Sequence, residues 1–100
     1  MTRLIMTTAA QRDYDNLDKS NLTAVEAGLA KLATEPNKRG QRLSGNLSEL
    51  KKLVVGKKAI RIIFEYSAID DAVFVIAIGM RRNDEVYRIA AARLAEDPQG

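Results

Sequence analysis

Apolar positions switch between strand and helix spacing along this chain. The first strand reads from Arg3 to Thr7 (RLIMT). Ala10, Tyr14 and Leu17 then recur at helical spacing and predict a short first helix. Leu22, Val25, Leu29 and Leu32 make a longer apolar stripe that Pro36 terminates, so the two helices form a hairpin joined around Lys19–Asn21. The segment PNKRGQRLSGN reads as a polar loop with two glycines. From Leu50 the pattern shortens to that of strands: LKKLVV, AIRIIFEY and AVFVIAIG are rich in β-branched residues. Gly56–Lys58 and Ser67–Asp71 connect them, and connections this short predict an antiparallel meander. The last of the three is apolar at nearly every position, as a central strand covered on both faces would be.

A final helix is expected after Gly79, capped by Asn83, with Asp84 and Glu85 in its first turn and Val86, Ile89, Ala90 and Leu94 as its buried stripe. The order β-α-α-β-β-β-α predicts an α+β domain spanning 1–100: a small, mostly antiparallel sheet, an N-terminal helical hairpin on one face and a C-terminal helix, with the helices on one side.

Alternation sorts the strand residues into faces. Ile60, Ile62, Phe64 and Tyr66 are expected to face the helices with Leu53 and Val55, leaving Lys52, Val54, Arg61, Ile63 and Glu65 on the opposite face. Arg81, just past the last strand, is expected to share a face with Val73, Val75 and Ala77. Tyr87 lies about 100° around its helix from Val86, at the edge of the core stripe. Lys52, Arg61, Arg81 and Tyr87 therefore converge as three cations and a phenol, whereas Arg82 falls on the other side. Each also has an ordinary reading: solvated strand-edge charge for Lys52, a surface ion pair with Glu65 for Arg61, strand-end charge for Arg81, core-edge packing for Tyr87.

Charge sharpens this picture. Between Lys38 and Arg61 lie eight basic residues and one acid, so this segment carries +7 and the remainder −4, for a net +3. Arg42, Lys51, Lys57 and Lys58 belong to it, and a basic concentration of this kind suits RNA, DNA or an acidic protein. The chain has no cysteine and no histidine. Thiolate metal sites and the commonest general base are thereby excluded, which leaves Lys, Arg, Tyr, Asp and Glu for any acid–base work. No apolar run reaches membrane-spanning length and no secretory signal is evident, so a cytoplasmic protein is expected.

The stretch LSGNLSELKKLVVGKKAIRIIFEYSAIDDAVFVIAIGMRRNDEVYR resembles the RelE branch of the RelE/ParE toxin superfamily. LSGNL, the basic strand ELKKLVVG, the arginine-bearing strand AIRIIFEY and the ending IGMRRNDEVYR carry the likeness, which extends over residues 3 to 94. The resemblance implies the toxin of a type II toxin–antitoxin pair: an mRNA endoribonuclease acting in the ribosomal decoding site without metal or other cofactor, and held inactive by an antitoxin protein. It places the catalytic set on Lys52, Arg61, Arg81 and Tyr87; Arg42, Lys51, Lys57 and Lys58 of the basic segment are the expected RNA contacts. One position departs from the family pattern: Val54 stands where a second lysine is often found. The same fold also serves ParE-like toxins that bind DNA gyrase and cut nothing, and a weakened member would mainly bind its antitoxin.

Overall fold

The computed structural model describes residues 2–43, 50–56, 60–80 and 85–96, the last segment with side chains from 86 to 93. Strand β1 (Arg3–Met6) leads into helices α1 (Thr8–Asp15) and α2 (Lys19–Thr34). A short 3-10 turn (Pro36–Lys38) and strand β2 (Gln41–Arg42) precede β3 (Lys51–Val55), β4 (Ile60–Ser67), β5 (Ala72–Met80) and helix α3 (Glu85–Glu96). The five strands form one sheet in the order β1-β5-β4-β3-β2, with β1 parallel to β5 and the other pairs antiparallel. The expected meander, β3-β4-β5, is present, and β5 is an inner strand between β1 and β4.

Side-chain caps set the helix starts. Thr7 accepts the Ala10 N–H at 3.0 Å and begins α1, so this residue is a cap and not the end of the strand. Asp18 accepts the Asn21 N–H at 2.9 Å, which moves the hairpin joint from Lys19–Asn21 to the residues just before Lys19. The polar loop holds a strand that the pattern did not reveal. Gly40, at φ +82°, turns the chain into β2, and a Cβ there would sit 2.8 Å from the Phe64 ring and 2.9 Å from the Lys52 carbonyl oxygen. Two residues are too few to show a period.

The helices do not share one side of the sheet. Ala10, Val25, Leu29 and Leu32 of the hairpin pack on Ile60, Ile62, Phe64, Val73, Val75 and Ile78. Helix α3 covers the other face, where Val86 and Ala90 meet Leu50, Ile63, Ile76 and Ala77. A bulge in β5 explains a second correction. Ile63 pairs with Ala77 and Phe64 with Val75, leaving Ile76 opposite no residue of β4. The pleat changes phase there: Val73 and Val75 face the hairpin, while Ala77 faces α3. Val73, Val75 and Ala77 therefore do not line one face. Ile89, expected in the buried stripe, is exposed, because Val86, Ala90 and Arg93 form the line that meets the sheet. The predicted Asn83 cap, Asp84 and the side chains of Glu85 and Leu94 lie outside the described residues.

Candidate functional site

The α3 face of the sheet carries two cross-strand rows. Gln41, Lys52, Ile63 and Ala77 stand side by side on β2, β3, β4 and β5. The next row is Val54, Arg61 and Gly79. Arg61, on the central part of this face, is only 6% exposed. That disposes of the surface reading for this residue. Burying a guanidinium costs several kcal/mol unless hydrogen bonds compensate it, and arginine's weak hydration makes it the cation best suited to such a place. The neighbouring Gly79 lets α3 lie close, since a Cβ there would come within 3.3 Å of a Val86 methyl.

Tyr87 is half-buried against this second core and closes over both rows. Its hydroxyl accepts a hydrogen bond from Arg61 Nε at 3.2 Å. Lys52 Nζ stands 5.9 Å from the centre of its ring, within the range of a cation–π contact. Three of the four side chains expected to converge therefore do so, from three different elements. Arg81 lies outside the described residues, as do Arg82, Lys57, Lys58 and most of the LSGNL stretch. Val54 is directly opposite Arg61, half-buried on the same face. Glu65 is on that face too, two places further along β4 and about 13 Å from Arg61 in strand rise.

The flanking basic residues divide. Lys51 pairs with Arg42 and with Phe64, and alternation sets it on the hairpin side with Leu53 and Val55, away from Lys52. Arg42, its cross-strand partner, follows it to that side. Gln41 takes the place beside Lys52 instead. Nothing in the sequence pointed to Gln41, because its face is defined only by the register of a two-residue strand.

Chemically, the arrangement is an anion site with a phenol. Two cations of different character, one buried and delocalised and one half-exposed and compact, are held within reach of one tyrosine hydroxyl and ring. Asp13 pairs with Arg93, and Asp71 accepts from Thr2 and Tyr66, both away from this row. No helix of the described residues is long and apolar enough to cross a membrane.

The architecture is that of RelE-type toxins. A solved toxin–antitoxin complex, RelBE2 from Mycobacterium tuberculosis, matches with a TM-score of 0.70 and 25% identity, covering 80% of this chain and 98% of that one. The free E. coli toxin RelE, in a doubly substituted form, superimposes with a TM-score of 0.77 at 20% identity, over 93% of this chain and 97% of its own. A YoeB/ParE toxin from Agrobacterium tumefaciens matches at 0.68 and 15% identity, over 80% and 99% of the two chains. No protein-family model matches the chain, and no curated protein matches it.

Proposed function

We propose that this chain is the toxin of a type II toxin–antitoxin pair and that it cuts messenger RNA, using Lys52, Arg61, Arg81 and Tyr87. The observation that carries the reading is the buried Arg61, hydrogen-bonded to Tyr87 beside the Lys52 ammonium. A buried guanidinium with a second cation and a phenol beside it is suited to a ligand that brings negative charge.

The reaction that fits is attack by a ribose 2′-OH on the adjacent phosphate. The new O–P bond forms as the bond to the 5′-oxygen breaks, giving a 2′,3′-cyclic phosphate and a 5′-OH. Charge builds on the phosphate oxygens in between, and Arg61, fixed in place before substrate arrives, stabilises it. Lys52 assists the attacking 2′-OH, and Arg81 offsets charge on the departing 5′-oxygen. Arginine holds its proton too tightly to act as an efficient acid, so its part is electrostatic. Tyr87 orients Arg61 through its hydroxyl and offers its ring to the nucleic acid. The 2′-OH proton passes to solvent water, and water returns one to the departing 5′-oxygen, while this chain's side chains supply the charge. So sparse an acid–base set cuts free RNA slowly, and a ribosome that presents the message in a reactive geometry supplies the missing orientation. The partner that restrains the toxin is an antitoxin protein, as in the M. tuberculosis complex of the same fold.

Val54 beside Arg61 favours a second reading, in which the chain is a ParE-like toxin that inhibits DNA gyrase and cleaves nothing. Induced expression with primer-extension mapping of cellular messages, run beside a supercoiling assay with purified gyrase, separates the two. Cuts phased to codons that vanish in Arg61→Ala and Arg81→Ala are expected. Intact messages with blocked supercoiling would establish the gyrase reading instead.

A further inference from the structure

We infer that Asp13 and Arg93 are positioning residues, which hold α3 at the roll angle that brings Tyr87 onto Arg61 and Lys52. Strand β1 stops short of the end of β5: its last pairing is Met6 with Val75, followed by a Thr7 N–H donated to the Val75 carbonyl at 3.2 Å. Beyond that point side chains take over the edge of β5. Asp13 of α1 accepts the Ile78 N–H at 3.0 Å, and Arg93 of α3 donates to the Ile76 carbonyl at 2.8 Å. The two side chains also grip each other with both arms of the guanidinium, at 2.8 and 3.1 Å. The result is a clasp joining the two helices, which otherwise cover opposite faces, around the bulge at Ile76.

Helix α3 needs such a clasp for its orientation. Among the described residues its fully buried contacts with the sheet come from Val86 and Ala90, two small side chains that resist rolling poorly, with Tyr87 half-buried beside them. Arg93 extends the same line, seven residues after Val86, and is the directional member of it. Tyr87 stands six residues before Arg93, about 9 Å along the axis and about 120° around it. A roll of about 15° moves an atom on the helix's outer surface by roughly 1.5 Å, enough to part a hydroxyl from its 3.2 Å partner. The clasp thus acts on the site through Tyr87 without touching substrate.

This inference rests on the nuclease reading for its kinetic arm only. In Asp13→Asn and Arg93→Lys, ribosome-dependent cleavage is expected to fall about tenfold or more, as misplacement by an ångström does. Neither substitution is expected to add to the loss already produced by Tyr87→Phe, because all three act through one hydroxyl. The second arm is the NMR signal of ring-carbon-labelled tyrosine. Tyr87 is expected to shift in both variants while Tyr66, at the far end of the sheet, stays in place. Arg93→Lys keeps a cation in the clasp and carries the test if Asp13→Asn does not fold. An unmoved Tyr87 signal, or losses that multiply with Tyr87→Phe, would overturn the inference. A wild-type chain that cuts no message, with Tyr87 still shifting in the variants, would sink the nuclease reading and leave the clasp standing.

Discussion

The two faces of the sheet are built for different ends. On the hairpin side, ten buried residues from Ala10 to Ile78 pack without a buried charge among them. On the α3 side the cluster is smaller, the described part of its helix contributes Val86 and Ala90 with Tyr87 half-buried against them, and a guanidinium is sunk beside it. On the proposed reading stability and chemistry are separable here, and substitutions on the two faces should fail in different assays.

Phe64→Ala should break the hairpin face most severely. Phe64 is fully buried, and losing its ring is expected to cost about 3–5 kcal/mol in urea unfolding. Activity then falls only as far as the folded fraction does. Arg61→Met should show the reverse. Its unfolding midpoint is expected to fall less than that of Phe64→Ala, while cleavage drops about 10²-fold or more. An Arg61→Met protein as destabilised as Phe64→Ala would erase the distinction between the faces.

Val54→Lys sharpens the same comparison in the opposite direction. It adds an ammonium in the row of Arg61, and is expected to raise cleavage by up to about tenfold while lowering stability slightly. Kinetics and urea melts on one preparation check both halves. The smallest effect lies away from both cores. Tyr66 is withdrawn in part from water and donates to Asp71 at 3.2 Å; desolvation, that hydrogen bond and the carboxylate's charge together push its pKa up from 10.0. A raised folded-state value means that the protonated phenol is the form favoured by folding. Its contribution is complete below pH 10.0 and is lost as pH climbs through the folded-state value. Thermal melts should therefore show a shallow loss of stability in strong alkali that Tyr66→Phe lessens.

Much of this was legible in the sequence, and for identifiable reasons. Strand alternation from Leu53 to Tyr66 assigned the faces of Lys52, Val54 and Arg61 correctly, because a buried face fixes register. The approach of Tyr87 followed from one helical step past Val86. What alternation could not foresee is the bulge at Ile76, where every residue is apolar and a slip leaves no mark in the pattern. That slip parted Ala77 from Val73 and Val75. The placement of α3 on the second face was hidden for a similar reason: β5 is apolar on both sides and does not say which helix covers which. Strand β2, and with it Gln41, was invisible because its two residues are held by the turn at Gly40 and not by any period. The Asp13–Arg93 clasp joins residues eighty positions apart, and only the packing of α1 and α3 on the edge of β5 brings them together.

The central claim is that Arg61 serves the reaction and not the fold. Single-turnover cleavage of message on programmed ribosomes, comparing wild type with Arg61→Met at matched folded fraction, tests it most directly. A fall of about 10²-fold or more at matched folded fraction is the predicted result. Equal cleavage rates for the two proteins would contradict it.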